Sequence, residues 1–207
     1  MEKKRIIAAI TGASGVICGI RIVEILADIA EIHLIVSDAA MDVIELETSY
    51  SYSRIASLAH KVYDNDDFTA PIASGSFPTD GMIISPCTIK TLSAVANCYS
   101  ASLISRAADV VLKERKPLVL CVRETPFSPG HLNLMIQASQ MGALICPPVI
   151  SMYSKPQTIS QLVDHTVGRQ LDLLGIRTDF CSRWTGVSVS KEKVDMQESC
   201  NWRHEAL

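Results

Sequence analysis

Gly12-Ala13-Ser14-Gly15 follows the apolar run Arg5 to Ile10 and opens a helical pattern. That order of residue types suits anion binding. Amides freed in the first turn of a helix, with the positive end of its dipole behind them, favour a phosphate over water, and glycine lets the backbone come close. Ser14 either presents a hydroxyl above the strand ends or caps the helix. The glycines fall at Gly12, Gly15 and Gly19, so the G-x-G-x-x-G order of dinucleotide sites is missing. The second apolar run ends in Ser37, which also weakens a dinucleotide reading, although a ribose contact could be argued for Asp38 after it.

Pro86-Cys87-Thr88-Ile89-Lys90-Thr91 repeats the logic, with two hydroxyls and an ammonium between a strand and a helix. Two such turns on one cleft point to a phosphorylated ligand. Cys87 has no histidine partner nearby in sequence, which favours a packed thiol over a nucleophile. Arg106 and Lys113 stand two helical turns apart on one stripe. They could grip a second anion, or form a solvated face in which Arg106 pairs with Asp109. Arg123-Glu124 at the end of an apolar strand either offers a cation for a phosphate or ring oxygen and a carboxylate for proton transfer, or is a simple pairing of the two with each other or with solvent. Glu47 reads as a surface residue unless its position proves special. Tyr153 and Arg169 are too far apart in sequence for spacing to join them. His131 and His165 read as structural residues on helices.

The elements that must carry these residues show in the apolar runs Arg5 to Ile10, Ile32 to Val36, Gly81 to Ser85, Leu118 to Val122 and Ala143 to Cys146, with helical patterns between them. Runs apolar on both faces suit a parallel sheet covered by helices on each side, a three-layer α/β sandwich of Rossmann-like type. Ligands then sit outside the carboxyl ends of the strands. Residues Tyr63 to Ser76 form a long acidic, then small-residue connection: a flap whose Phe68 lines the site, or a surface loop anchored by that ring.

With 207 residues, 48% hydrophobic and 20% charged, the chain matches one globular domain, expected over 1–185, with a polar tail over 186–207. A net charge of −3 gives no basic field for nucleic acid or anionic lipid, so small molecules are the expected partners. The seven cysteines form no C-x-x-C pair and read as buried thiols in a reducing compartment, without metal. The opening Met-Glu-Lys-Lys-Arg leads into a strand unlike a signal peptide or membrane span, so a cytoplasmic location is expected.

In combination, Gly12-Ala13-Ser14-Gly15, Leu46-Glu47-Thr48, Ala73-Ser74-Gly75-Ser76, Pro86-Cys87-Thr88, Arg106 through Leu112-Lys113-Glu114-Arg115, Leu118 to Pro126, and Tyr153 with Pro156-Gln157 resemble the UbiX-type flavin prenyltransferases. The resemblance covers roughly residues 5–184. It implies a flavodoxin-like sandwich that joins the dimethylallyl group of dimethylallyl monophosphate to N5 and C6 of reduced FMN, making a prenylated flavin for a UbiD-type decarboxylase. FMN would be held by Gly12, Ala13, Ser14, Ser37, Thr88, Ile89, Lys90, Thr91 and Arg123. The donor phosphate would meet Arg106, Lys113, Tyr153 and Arg169, with Phe68 and Trp184 closing the site. Ser14, Glu47 and Glu124 would act at the reacting flavin edge. A large homo-oligomer, a dodecamer with sites shared between neighbours, is also implied. Alternatives are a cysteine decarboxylase of the same fold, whose Pro-x-Met-Asn motif is absent here, and a non-catalytic flavin carrier.

Overall fold

The computed structural model describes residues 3–179, 181 and 183. Trp184, and with it the expected aromatic closure from the tail, lies outside the described residues. Strands β1 (Lys4–Ile10), β2 (Ala30–Val36), β3 (Lys61–Tyr63), β4 (Gly81–Cys87), β5 (Leu118–Val122) and β6 (Leu144–Ile145) alternate with helices α1 (Val16–Ile29), α2 (Asp38–Glu47), α3 (Tyr52–Ala56), α4 (Ile89–Ala96), α5 (Leu103–Lys113), α6 (Pro129–Gln140) and α7 (Ile159–Asp172). All pairings are parallel, in the order β3-β2-β1-β4-β5-β6. This is the doubly wound α/β order. With the three-residue edge strand β3 set aside, the remaining strands follow the flavodoxin order.

The alternation of side chains along β1 shows why the sheet is covered twice. Ile6, Ala8 and Ile10 pack under α1, α2, α3 and α7 through residues such as Ile20, Leu26, Ile44, Ile55 and Leu171. Ile7 and Ala9 face the opposite layer, built by Leu92 and Val95 of α4, Leu103 and Ala107 of α5, and Ala138 of α6. Every residue from Ile6 to Ile10 is therefore buried, as an apolar run in a central parallel strand requires. The expected runs match five strands. The sixth, β3, escapes periodicity because it has three residues, and among the described residues it pairs with β2 alone.

The long connection after Tyr63 is docked rather than loose. The Asn65 carbonyl accepts from the Leu103 amide at 2.6 Å, and Asn65 Oδ1 accepts from the Ile104 amide at 3.2 Å. A 3₁₀ turn at Pro71–Ala73 buries Ile72, while Phe68 stays exposed on the outside. Cys87, Cys121 and Cys181 are buried and Cys18 and Cys146 half-buried, but Cys98 is exposed, contrary to the expectation for the cysteines as a set. It sits beyond the end of α4 with φ 51°, where the chain turns outward. None of the described helices is long and apolar enough to cross a membrane.

Candidate active site

The site is set by the point where the chain changes direction. Pairing between β1 and β4 ends at Ala9–Ile84, after which β1 continues into α1 on one layer and β4 into α4 on the other. A crevice must open between the two carboxyl ends. It contains two clefts.

The larger cleft, about 560 Å³, is lined by Gly12, Ser37, Thr88, Lys90 and Thr91, with Asn65 and Ser102 on its far wall. Three helices start there, each with a hydroxyl cap: Ser37 accepts from the Ala40 amide at 3.2 Å, Thr88 from Thr91 at 3.2 Å and Ser102 from Ser105 at 3.3 Å. They are not equivalent. The Leu103 and Ile104 amides of α5 are taken by Asn65, whereas the Ile89 and Lys90 amides of α4 have no hydrogen-bond partner among the described residues. The first turn of α2 carries the Asp38 carboxylate, which disfavours an anion there, whereas α4 has no acidic residue in its first turn and the Lys90 ammonium beside it, so α4 is the end suited to an anion. Ile89 packs its side chain against the core, so only its amide faces the cleft. Gly12 lies so close to α2 that an added Cβ would come within 2.5 Å of the Ala39 Cβ and 2.8 Å of its backbone. Ala13 closes the turn by donating its amide to the Thr11 carbonyl at 2.8 Å.

The smaller cleft, about 420 Å³, is lined by Ser14, Gly15, Arg123, Glu124, Phe127 and Pro147 among others. Gly15 is the residue before α1, has φ +87°, and receives no side-chain cap, so Ser14 is not the cap. Glu47 takes that position from the last turn of α2, accepting the Gly15 amide at 2.8 Å. Partial burial pushes the Glu47 carboxyl up. Hydrogen bonds from Ser14, Gly15 and Val16, with the Arg123 charge, outweigh it and hold the group below its ordinary value. Arg123 is fixed by its amide to the Cys87 carbonyl at 3.0 Å. Glu124, half-buried, accepts the Thr125 amide on one carboxylate oxygen at 2.9 Å. Ser14, Glu47, Arg123 and Glu124 thus meet at one mouth, though spacing alone could not place Glu47 there.

The four residues expected around a second phosphate fall into two groups within one chain. On α5, the half-buried Arg106 donates from Nε to the Ala73 carbonyl at 3.1 Å and pairs with Asp109 at 3.0 Å, and Lys113 pairs with Glu114 beside Gly75. On α7, in the opposite layer, Arg169 pairs with Asp172 at 2.7 Å. Tyr153 sets its ring edge-on against His165 of α7, with centroids 5.2 Å apart. Each group is partly exposed at the surface. Phe68 is exposed and lines neither cleft, although Asp66, two residues before it, is in the wall of the larger one.

Several other readings are decided by burial. Cys87 is fully buried and its thiol is pushed up to about 12, so it is inert. His131 accepts the Ser128 amide at 3.2 Å and serves as half of a capping box for α6. No group of three or more His, Cys, Asp or Glu among the described residues is arranged to hold a metal. Sequence reasoning passed over Thr11 and Asn65. The Asn65 role has no local signal, since its partners are 38 and 39 residues away.

Comparison with known proteins agrees with this geometry. The model of the Flavoprotein family matches residues 1–170. The flavin prenyltransferase UbiX of Escherichia coli (strain K12) is 49% identical over 187 residues, spanning 88% of this chain and 99% of that protein. The crystal structure of AnUbiX (PadA1) in complex with FMN and dimethylallyl pyrophosphate superposes with a TM-score of 0.88 at 44% identity, covering 90% of this chain and 100% of that one. A dodecameric FMN-dependent UbiX-like decarboxylase from Escherichia coli O157:H7 gives a TM-score of 0.86 at 42% identity, covering 88% and 100%. Identity of that extent on a shared fold settles the family: the chain belongs to the UbiX-type flavin prenyltransferases, within the Flavoprotein family.

Proposed function

We propose that this chain transfers a dimethylallyl group from dimethylallyl monophosphate to reduced FMN. The observation that carries the reading is the pairing of an open helix start with a carboxylate and a guanidinium across one crevice. The Ile89 and Lys90 amides suit the FMN phosphate, while Ser14, Arg123 and Glu124 suit the polar edge of its ring. The clefts fit such a ligand: the larger sets the Ser37, Thr88 and Thr91 hydroxyls around the Lys90 charge, and the smaller sets Arg123 and Glu124 against Phe127 and Pro147. Reduced FMN, when bound, supplies a nucleophilic N5 and the C6 at which the new ring closes.

The protein's residues supply the rest. Breaking an allylic C–O bond leaves negative charge on a phosphate, which fixed cations stabilise without reorganising. Arg106 and Lys113 hold one side of that phosphate. Tyr153 and Arg169 hold the other from a neighbouring copy, a division that suits the placement of α5 and α7 on opposite layers and supports a homo-oligomer in which sites are shared. Phe127, Pro147, Pro148 and Val149 keep water from the allyl group. Glu124 has a second carboxylate oxygen with no partner among the described residues, suited to accept the proton shed from C6, with the Ser14 hydroxyl passing protons at N5. Glu47 fixes the turn that carries Ser14. The product is read as the cofactor of a UbiD-type decarboxylase, made in the cytoplasm.

The test is an anaerobic mixture of protein, FMN, reductant and dimethylallyl monophosphate. The flavin is expected to gain one C5H8 unit by mass spectrometry. Unchanged FMN refutes the reading. Glu124→Gln is expected to bind FMN normally yet lose about a hundredfold or more in turnover. Undiminished turnover in that variant removes Glu124 from the chemistry.

A further inference from the structure

Thr11 is 2% exposed and lies between the end of β1 and the Gly12–Gly15 turn. The main-chain ladder between β1 and β4 has already stopped at Ala9–Ile84, and β4 carries Pro86, which has no amide proton to donate. Past the last paired residues Thr11 supplies the cross-strand bonds, from its side chain as well as its amide. Its hydroxyl donates to the Pro86 carbonyl at 2.7 Å, and the Thr11 amide donates to the same oxygen at 3.3 Å. The hydroxyl oxygen in turn accepts the Thr88 amide at 2.9 Å.

Thr88 is the cap of α4 and the first residue of the second turn. One buried hydroxyl therefore ties the turn that carries Ser14 to the turn that carries the open amides of α4. The donor and an acceptor site of the hydroxyl are both used, and both lone pairs of the Pro86 carbonyl are filled. The Thr11 methyl group takes no part in these bonds, so serine supplies the same chemistry and valine only the same shape.

We propose that Thr11 is a positioning residue that fixes the separation of the two turns, so that one ligand can engage a phosphate subsite and a ring subsite at once. The proposal rests on the flavin reading given above. Its effect is on the coupling between the subsites: a flavin that reaches both turns should depend on Thr11, and one that reaches only the ring turn should not.

FMN and riboflavin separate these cases, since riboflavin lacks the phosphate. Flavin fluorescence titration of Thr11→Val is expected to weaken FMN binding about tenfold, the loss expected when a buried hydrogen-bonding pair is broken. Riboflavin binding should change by less than about twofold, and Thr11→Ser should restore FMN affinity to within about threefold of the parent. Thr11→Ala carries the same test if the valine variant does not fold. Equal losses for FMN and riboflavin show that the residue is structural only and overturn the proposal. Failure of Thr11→Ser to restore binding also overturns it, because the hydroxyl is then not the agent. Parent protein that binds neither flavin refutes the underlying reading, and the inference falls with it.

Discussion

The groups proposed to hold the flavin come from the ends of β1, β4 and β5 and the first turns of α2 and α4, and hydrogen bonds fix them to one another. Those proposed to hold the donor stand on α5, on α7 and in the loop before α7; the cations of the two helices lie in opposite layers, each paired with a carboxylate within a turn of itself, and Arg106 is tied also to the Ala73 carbonyl. The difference is one of preorganisation. Thr11, Cys87 and Glu47 join the flavin elements across the sheet, so one chain can present that subsite complete. Arg106, Lys113 and Arg169 are each held by an adjacent carboxylate, which keeps the cations soluble and partly neutralised until a stronger anion arrives. A subsite of that kind is finished by assembly, not by folding.

The sharpest way to break this comparison is to divide the donor subsite between copies. Arg106→Ala and Arg169→Ala should each reduce kcat/KM for the donor about a hundredfold while leaving FMN affinity within about twofold, since each removes a cation from the leaving phosphate but none from the flavin clefts. Co-expressed with separate tags, the two variants should recover about a quarter of the parent activity, because random mixing gives that share of sites an intact half from each copy. No recovery in mixed oligomers would place both halves in one chain and refute the shared site.

The same division explains what the sequence could and could not show. Five strands were legible because each is an apolar run in a doubly covered sheet, and the turns Gly12–Gly15 and Thr88–Thr91 follow directly from strand ends. Lys61–Tyr63 was not, for lack of length. Glu47 was hidden for another reason: its partner, the Gly15 amide, is 32 residues away and belongs to a different helix, so nothing in Leu46-Glu47-Thr48 separates it from a surface glutamate. Arg106 and Lys113 could be aligned from helical spacing. Their distance from Arg169 depends on which layer each helix joins, and local pattern does not encode that.

Glu47 gives a smaller effect on the flavin side. It accepts an amide at the start of α1 and places negative charge at the positive end of that helix. Glu47→Gln keeps an acceptor but removes the charge, and Glu47→Ala removes both. Flavin affinity should fall about fivefold in the alanine variant and less in the glutamine variant, the size expected for loss of a helix cap of about 1 kcal/mol. If alanine leaves affinity unchanged but abolishes turnover, Glu47 acts on the chemistry and not on the turn.

The amino end of the sheet supplies the control, and the smallest effect at neutral pH. There Arg5 binds Glu31 through Nε at 2.6 Å, and the buried His33 bridges Glu31 at 3.0 Å and the Tyr63 hydroxyl at 2.7 Å. The Arg5 hydrogen bond, then that of His33, lowers the Glu31 carboxyl from 4.5 to about 2. A carboxyl held lower in the folded chain than in the unfolded one stabilises the fold above its unfolded value and loses that contribution as pH falls toward the folded one. Burial likewise holds His33 below its ordinary 6.5, so it too favours folding less as pH drops beneath that value. Between pH 4.5 and about 2, Tm of the parent should therefore fall more steeply than that of Glu31→Gln, which has no carboxylate to protonate. At pH 7 the variant should lose a few degrees in Tm, about the cost of one partly exposed ion pair, with FMN affinity unchanged because the substitution is at the far end of the strands. A parallel loss of flavin binding would mean that the two ends of the sheet are coupled, and the separation between a closed amino end and an open carboxyl end would no longer hold.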